Sequence, residues 1–368
     1  MRIKLFFLLL FITNVVLAQN VLQPGFDAVE YTTMMAVSGL KGGKDSAEIF
    51  NLRKEYKRTY QSPVAGLSNR WSFYVNDKKK TAIISIRGTV GNDTSWAANY
   101  YFAMIPAQGV LEFSDKKFEY KLAENKEAAV HTGWTIALAS MADDVVSKIK
   151  ESYQIGIKDF YVFGHSQGGA IAYLLRSYLH YRQQDGTLPK DILFKTYCSA
   201  PPKPGNMQYV YDYDFITRGG WACSVVNAKD WVCESPFTLQ TMDNMNAHNP
   251  LINMKSSFKD IGIVKRAALT HIFNKMERKP AKTQQMYIRY FGKGFYKMSI
   301  SKMLPGFKEP VYSNSINYMR AGSPVILMPD KEYLTIFNEN DPKHSKNYFL
   351  HHTYEAYYYL LKKDYLKW

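Results

Sequence analysis

The stretch Gly164-His165-Ser166-Gln167-Gly168-Gly169-Ala170 is the most informative part of this 368-residue chain for predicting its fold. An apolar run, Phe160-Tyr161-Val162-Phe163, precedes it, and a helical pattern follows it as far as Tyr181. A G-x-S-x-G pattern between a strand and a helix is typical of a turn so tight that the residues two before and two after the serine must lack bulk. The pattern predicts that Ser166 stands alone at this turn. Its hydroxyl would face a substrate, and the backbone N–H of Gln167 would point to a developing oxyanion.

The runs on either side predict an α/β fold. Residues 71–75 and 81–86 are β-rich and are joined by a charged turn, which predicts a hairpin. Further strand-like runs are 160–163, 192–200 and 224–226, and helical spacing over 136–149 precedes the first of them. Almost continuous apolar strands that alternate with helices are typical of a mostly parallel sheet covered on both faces.

The second half of the chain predicts a helical insertion on this sheet. From about 236 to 305 the sequence is rich in methionine, aromatic residues and lysine without strand patterning, and it has helical patterns over 265–276 and 284–291. We expect an insertion rather than an independent domain. The tail over 353–362 is predicted to be a docked C-terminal helix.

The N-terminus has the pattern of a secretory signal. Arg2 and Lys4 precede an apolar run from Leu5 to Ile12, and Val16-Leu17-Ala18 places small residues where a signal peptidase cuts. This predicts a signal peptide over 1–18, a mature domain over 19–368, and a secreted or periplasmic protein. A short membrane anchor is the alternative; no later segment is long and apolar enough to cross a bilayer.

Net charge and the absence of binding motifs limit the classes of partner that we expect. The formal net charge of +15 would attract nucleic acid or an anionic lipid surface, or would serve solubility. No zinc-finger, RNA-recognition or helix-turn-helix signature accompanies it, so we expect no nucleic-acid partner. No cysteine and histidine spacing resembles a metal site, and we expect neither a metal nor a cofactor.

Three cysteines leave two alternatives open. Cys223 and Cys233 are close enough in sequence to form a disulfide in an exported protein, but free thiols are equally consistent with the sequence. Cys198 lies in an apolar run and is expected to be a free buried thiol.

A catalytic serine needs a base to take its proton and a carboxylate to orient that base. Asp230 is the best acid, because it follows the strand at Val225-Val226 and would lie at the same sheet edge as Ser166. Asp212 and Asp214 are alternatives, in a tyrosine-rich segment predicted to be a surface loop.

Several histidines follow Asp230, and only one can point at Ser166. His271 lies within a helical pattern, whereas His351 and His352 stand just before the final helix, where a loop can reach back over the sheet. The candidates are His248, His271, His344, His351 and His352.

Five elements in order carry a resemblance to a known family. These are Ile86-Arg87-Gly88-Thr89, His131-Thr132-Gly133-Trp134, Gly164 to Gly168, the V-N-x-x-D segment ending at Asp230, and the tail His352-Thr353-Tyr354-Glu355-Ala356-Tyr357. Together they resemble the R-G-[ST], H-x-G-aromatic, G-H-S-x-G, V-N-x-x-D and H-x-x-E-x-Y elements of the class 3, or fungal-type, lipases and their plant phospholipase A1 relatives.

The resemblance implies an α/β-hydrolase fold and site roles. Ser166 would be the nucleophile, Asp230 the acid and His352 the base, with His351 the alternative base if the tail is aligned on the fungal members. Thr89 would supply a second oxyanion donor beside Gln167. Asp230 and His352 are further apart in sequence than in compact fungal members, which implies a large cap.

The function that this implies is an exported serine ester hydrolase that cleaves lipid or other hydrophobic esters through an acyl-enzyme. Phospholipase A1 or acyltransferase activity with the same triad is one alternative. A non-catalytic lipid- or surface-binding protein is another. Residues 96–130 occupy the position of the family's lid, but their apolar side chains are equally consistent with ordinary core packing. The oligomeric state stays open.

Overall fold

The computed structural model describes residues 21–246, 248–250, 252, 254, 258, 262–344 and 346–366. The predicted signal peptide, 1–18, lies outside these residues. The strands are β1 Lys57–Gln61, β2 Trp71–Asn76, β3 Thr81–Ile86, β4 Met104–Pro106, β5 Gln108–Glu112, β6 Lys117–Lys121, β7 Ala129–His131, β8 Asp159–His165, β9 Leu193–Ser199, β10 Ala222–Asn227 and β11 Ser323–Leu327. The α-helices are α1 Ala28–Ser38, α2 Ser46–Lys54, α3 Asp93–Tyr100, α4 Thr132–Gln154, α5 Gln167–Gln184, α6 Met207–Ile216, α7 Ile263–Tyr287, α8 Ser301–Met303, α9 Lys331–Ile336 and α10 Tyr354–Tyr365.

Seven strands form the central sheet in the order β1-β2-β3-β8-β9-β10-β11. The hairpin of β2 and β3 is antiparallel, β1 adds an antiparallel edge, and from β3 onward every neighbouring pair is parallel. The predicted hairpin and mostly parallel sheet are thus confirmed. The two edge strands, β1 and β11, had not been predicted from the sequence.

Each face of the sheet buries its own apolar cluster. Along β8, Phe160 and Val162 point into one cluster, which α4 and α5 cover. The alternate residues Tyr161 and Phe163 point into the other, which α1 and α10 cover. This two-residue alternation is the period of an extended strand. Because both faces are buried, the strand reads as a continuous apolar run, and the predicted α/β-hydrolase architecture is confirmed.

The turn between β8 and α5 has the tight geometry that its glycines predict. A Cβ atom on Gly164 would lie 2.1 Å from the carbonyl oxygen of Gly168, and one on Gly168 would lie 2.3 Å from the carbonyl oxygen of Ile86. Ser166 itself has φ 62° and ψ −131°. This backbone conformation costs a non-glycine residue on the order of 1–3 kcal/mol, so the surrounding contacts must hold it in place.

The segment predicted to be an insertion contains a long basic helix. The two predicted helical patterns are parts of one run from Ile263 to Met303, in which π-helical turns over 288–294 and 296–300 connect α7 to α8. Much of its apolar surface is exposed, including Ile263 at 87% and Met276 at 59%. Among the described residues, no helix combines the length and apolar character needed to span a bilayer.

Most of the segment at the lid position is packed into the body of the protein. Tyr101, Phe102, Met104 and Ile105 are buried. Strands β4 and β7 pair with each other, as do β5 and β6. Near the start of the segment, Trp96 is partly buried and Tyr100 is half exposed. The core-packing alternative therefore describes most of this segment.

Candidate active site

Asp230 and His352 form a buried pair. The Nδ1 atom of His352 lies 2.7 Å from Oδ2 of Asp230. The same oxygen accepts hydrogen bonds from the Tyr357 hydroxyl at 2.7 Å and the Cys233 thiol at 3.6 Å, while Oδ1 accepts from the N–H of Val232 at 3.0 Å. With a carboxylate at Nδ1, the imidazole carries its proton there and leaves Nε2 free to accept one. That Nε2 atom is buried and has no hydrogen-bond partner in the described part of the chain.

His351 points away from this site, although it is the adjacent residue. Its Nδ1 lies 2.7 Å from the Tyr333 hydroxyl and its Nε2 lies 2.8 Å from Oε1 of Glu339. Both ring nitrogens therefore have partners outside the cleft. The tight turn Leu350–His352 directs the two neighbouring rings to different surroundings. The structure thus brings His352, and not His351, to Asp230.

The other candidate histidines and aspartates lie away from the pair of Asp230 and His352. His271 is exposed on α7, the exposed His248 lies in the insertion, and Nδ1 of His344 lies 2.9 Å from the carbonyl oxygen of Asn338. Asp212 and Asp214 belong to α6, so the predicted surface loop is wrong. Asp212 accepts from the Tyr181 hydroxyl and Asp214 from the N–H of Gly322, so both side chains have structural partners.

His165 supports the backbone of His352. Its Nε2 donates to the carbonyl oxygen of His352 at 2.7 Å, and its Nδ1 lies 2.9 Å from the Ser199 hydroxyl, which in turn contacts the Tyr31 hydroxyl at 2.6 Å. Burial, with the neighbouring His352 charge, lowers the pKa of His165 from 6.5 to about 3. Burial likewise lowers the pKa of His131 to about 3. Both imidazoles are therefore neutral in the folded protein at neutral and mildly acidic pH.

These two buried histidines predict a loss of stability in acid. Between pH 6.5 and 3 the unfolded chain binds a proton at each histidine and the folded chain does not, so the free energy of unfolding falls as the pH falls. At pH 5 the loss is about 2 kcal/mol per histidine relative to pH 8. We expect His165→Asn to reduce the difference between pH 8 and pH 5 by that amount, as measured by urea unfolding. Exposed His271 is the matched control, because His271→Asn should keep the wild-type difference; an unchanged difference in His165→Asn would contradict the assignment.

The two expected oxyanion donors are tied together by Asn99. Its Nδ2 donates to Oγ1 of Thr89 at 3.0 Å, and its Oδ1 accepts from Nε2 of Gln167 at 2.8 Å and from the Trp134 indole at 3.1 Å. Gln167 is the first residue of α5, and the first N–H groups of a helix have no intrahelical acceptor. Thr89 and Gln167 both line the cleft that Ser166 faces.

All three cysteines are free and buried, so the disulfide alternative is wrong. Cys223 lies at the start of β10, whereas Cys233 follows its other end. The strand extends about 13 Å from Cys223 to Asn227 at its usual rise per residue, and the chain continues beyond this end to Cys233. Burial raises the pKa of the Cys223 thiol to about 11.

A cleft of about 1640 Å³ connects these side chains. Ser166, Gln167, Thr89 and His352 line it together. The aromatic residues that line the cleft include Trp96, Tyr100, Phe102, Trp231, Phe237 and Phe349. Ring contacts connect four of these, Tyr100, Trp96, Phe349 and Trp231, into one aromatic surface. The arrangement places a hydroxyl, an imidazole with a free nitrogen and two candidate N–H donors around one space, which is the set of groups that acyl transfer requires.

Three supporting residues were not predicted from the sequence as parts of the site. They are Asn99, His165 and Tyr357, which hold Thr89, His352 and Asp230 respectively. His165 and Tyr357 belong to the motifs quoted above, so their positions in those motifs were a signal that these two side chains have a role at the site. Asn99 lies outside every motif. Within the described residues no group of histidine, cysteine or acidic side chains could hold a metal ion.

Comparisons with known proteins show a match to one family over part of the chain. Residues 83–240 match the family model described as Lipase (class 3). No curated protein matches. Solved structures that are similar include a fungal lipase in complex with an inhibitor, at 21% identity over 57% of this chain and 73% of that one with a TM-score of 0.44. The Rhizomucor miehei triacylglyceride lipase is similar at 20% identity over 57% of this chain and 73% of that one, with a TM-score of 0.42. Lipase II from Rhizopus niveus is similar at 19% identity over 57% of this chain and 74% of that one, with a TM-score of 0.41.

Because these identities and TM-scores are low, the similarity to this family depends on the match over residues 83–240. This range contains Arg87-Gly88-Thr89, the turn at Ser166 and Asp230. Over residues 83–240 the chain is similar to the class 3 lipases, and this similarity supports a lipase-type ester hydrolase.

Proposed function

We propose that Ser166, His352 and Asp230 are the catalytic triad of this hydrolase. The observation that carries the proposal is the 2.7 Å contact between Nδ1 of His352 and Asp230, because it leaves a buried, unpartnered Nε2 on a cleft that Ser166 also lines. A base whose outer nitrogen is unoccupied, held by a carboxylate beside a strained serine, is the arrangement that activates a hydroxyl.

The reaction proceeds in two halves. Oγ of Ser166 attacks the ester carbonyl carbon while its proton passes to Nε2 of His352, and Asp230 stabilises the resulting imidazolium. The N–H groups of Thr89 and Gln167 stabilise the oxyanion, each donor typically contributing about 3 kcal/mol. His352 then protonates the departing alkoxide, which leaves an acyl-serine. Water, deprotonated by the same nitrogen, attacks the acyl-serine and releases the acid.

We propose esters with an apolar acyl part as substrates. Six aromatic side chains are among the residues that line the cleft, and four of them are in ring contact. Such surfaces bind apolar chains through burial of their area. Exposed apolar side chains on the basic helix α7, such as Ile263, Val264 and Met276, support a proposal that the enzyme works at a lipid–water interface. The signal pattern over 1–18 supports export to the medium or periplasm.

Labelling with a serine-directed phosphonate tests the site and export together. We expect intact-mass measurement of the protein recovered from the medium or periplasm to show a chain lacking residues 1–18, with one adduct that peptide mapping places on Ser166. The unlabelled protein should hydrolyse p-nitrophenyl esters from acetate to palmitate, with higher kcat/KM for the longer chains. A folded protein that forms no adduct would overturn the triad, and a mature chain that retains residues 1–18 would overturn the signal peptide.

A further inference from the structure

Three arginines share the face of the sheet that lines the cleft. Arg58 on β1 lies directly opposite Tyr74 on β2, and the N–H of Arg87 bonds the carbonyl oxygen of Arg70 at 3.0 Å, next to the paired residues Trp71 and Ile86. Residues opposite each other across strands point to the same face, and side chains alternate along each strand. Trp71 and Ile86 point into the core, so Arg70 and Arg87 point to the cleft, where both are lining residues together with Arg58.

Among the described residues, no carboxylate neutralises these guanidinium groups. Arg70 reaches Oε1 of Gln61 at 3.4 Å, Arg87 donates to the carbonyl oxygen of Ser68 at 2.8 Å, and the Nε atoms of both are buried without a partner. In the described part of the chain none of the three arginines forms an ion pair. Burial and the charge of Arg70 lower the pKa of Arg87. Like charges placed opposite each other in a sheet are destabilising, so a bound anion would relieve the pair.

The charge of the rest of the cleft has the same sign. Besides the three arginines, Lys41, Arg53 and Lys203 line it, and the acidic lining residues are Glu234 and Glu355. An arginine fork matches the oxygens of a phosphate or carboxylate better than any neutral group. A binding site for an anionic oxygen group therefore fits the wall of the cleft formed by Arg58, Arg70 and Arg87. An uncharged triester would leave these three guanidinium groups without an anionic partner.

This wall lies directly beside the nucleophile. Gly88 follows Arg87, and a Cβ atom on Gly88 would lie 2.8 Å from the carbonyl oxygen of His165 and 3.5 Å from Cβ of Ser166. The aromatic lining, with Trp231 and Phe349, belongs to the same cleft. One cleft thus offers a cationic surface and an apolar one to the two parts of one substrate.

We propose that the cleft takes an ester whose alcohol part carries an anionic group, for which phosphate is the best match, as in an anionic glycerophospholipid. Arg58, Arg70 and Arg87 bind the phosphate, and the acyl chain lies along the aromatic surface. The proposal rests on the proposed role of Ser166 and adds a substrate class to it.

Monomeric, water-soluble dibutanoyl esters of glycerol test the proposal without an interface. The third position is a free hydroxyl, a phosphate, a phosphocholine or a hemisuccinate. We expect wild-type kcat/KM to be highest for the phosphate ester, and Arg58→Gln and Arg70→Gln each to lower it roughly tenfold, the usual effect of losing one charge-assisted hydrogen bond. The neutral ester should change less than twofold. Lys150→Gln, an exposed substitution of equal charge change outside the cleft, should leave all rates unchanged.

Binding separates this proposal from the proposed catalytic role. Ser166→Ala protein titrated calorimetrically with the phosphate ester should bind it, and adding Arg58→Gln or Arg70→Gln should weaken binding by a similar factor. Arginine-dependent binding without any wild-type turnover would overturn the triad and retain the anion site. Serine-dependent hydrolysis with equal effects of the arginine variants on neutral and phosphate esters, or with no effect on either, would overturn the anion site. A wild-type preference for the hemisuccinate over the phosphate would overturn phosphate as the group bound.

Discussion

Replacing Ser166 with alanine should lower kcat/KM for every ester by about 10⁴-fold or more, because the substitution removes the hydroxyl on which the proposed acyl-enzyme forms. Activity that remains would come from binding and from the oxyanion donors, which the substitution leaves in place. Steady-state hydrolysis of a p-nitrophenyl ester measures the loss, with spontaneous hydrolysis subtracted. Retained turnover would show that Ser166 is not the nucleophile.

Loss of folding can be distinguished from loss of chemistry at this position. Ser166 holds a left-handed φ of 62°, which glycine adopts without strain. Ser166→Gly therefore removes the hydroxyl and relieves the backbone. We expect it to be as inactive as the alanine variant and to unfold at the wild-type temperature or above.

Replacing His352 with alanine should also lower kcat/KM by about 10⁴-fold or more, because the serine would lose its proposed base and Asp230 would lose the imidazole that it contacts. The adjacent His351 is the matched control. Its ring nitrogens contact Tyr333 and Glu339, so His351→Ala should lower stability while leaving kcat/KM within about tenfold of wild type.

The pair of histidine variants gives a clear outcome when esterase activity and thermal unfolding are measured together. Activity lost in His352→Ala and kept in His351→Ala supports the assignment. The reverse pattern would make His351 the base and would contradict the geometry at Asp230. Equal, severe losses of activity with unfolded protein in both variants would show that the turn Leu350–His352 is needed for folding. The activity of His352→Gln, which retains a polar side chain of similar size, would then replace that of His352→Ala in the comparison.

Local sequence was enough to predict the central elements of the sheet, namely the turn at Ser166 and the hairpin of β2 and β3. The turn at Ser166 could be predicted from the sequence because Gly164 is required by a contact of 2.1 Å with Gly168 within the turn itself. The 2.3 Å contact of Gly168, in contrast, is with Ile86 on the neighbouring strand β3. The hairpin of β2 and β3 could be predicted because its strands are strongly patterned and adjacent in the chain. The edge strands were missed for a physical reason: β1 is mostly exposed, and β11 joins the sheet almost a hundred residues after β10, so neither has a distinctive local pattern.

The choice between neighbouring or similar residues needed the tertiary structure. His351 and His352 are identical in type and adjacent, and they differ in the partners that long-range packing brings to their rings, Glu339 and Asp230. Cys223 and Cys233 are close in sequence, but a strand runs between them.

The sequence by itself determined the strand–turn–helix around Ser166, the order of the motif elements and the mostly parallel α/β architecture, because each depends on short-range sterics or on periodic burial. Only the tertiary structure decided which histidine meets Asp230, that the cysteines stay apart, and that Arg58, Arg70 and Arg87 face the cleft together. Those outcomes depend on contacts between segments far apart in the chain, and their distances are set by how the whole sheet is assembled.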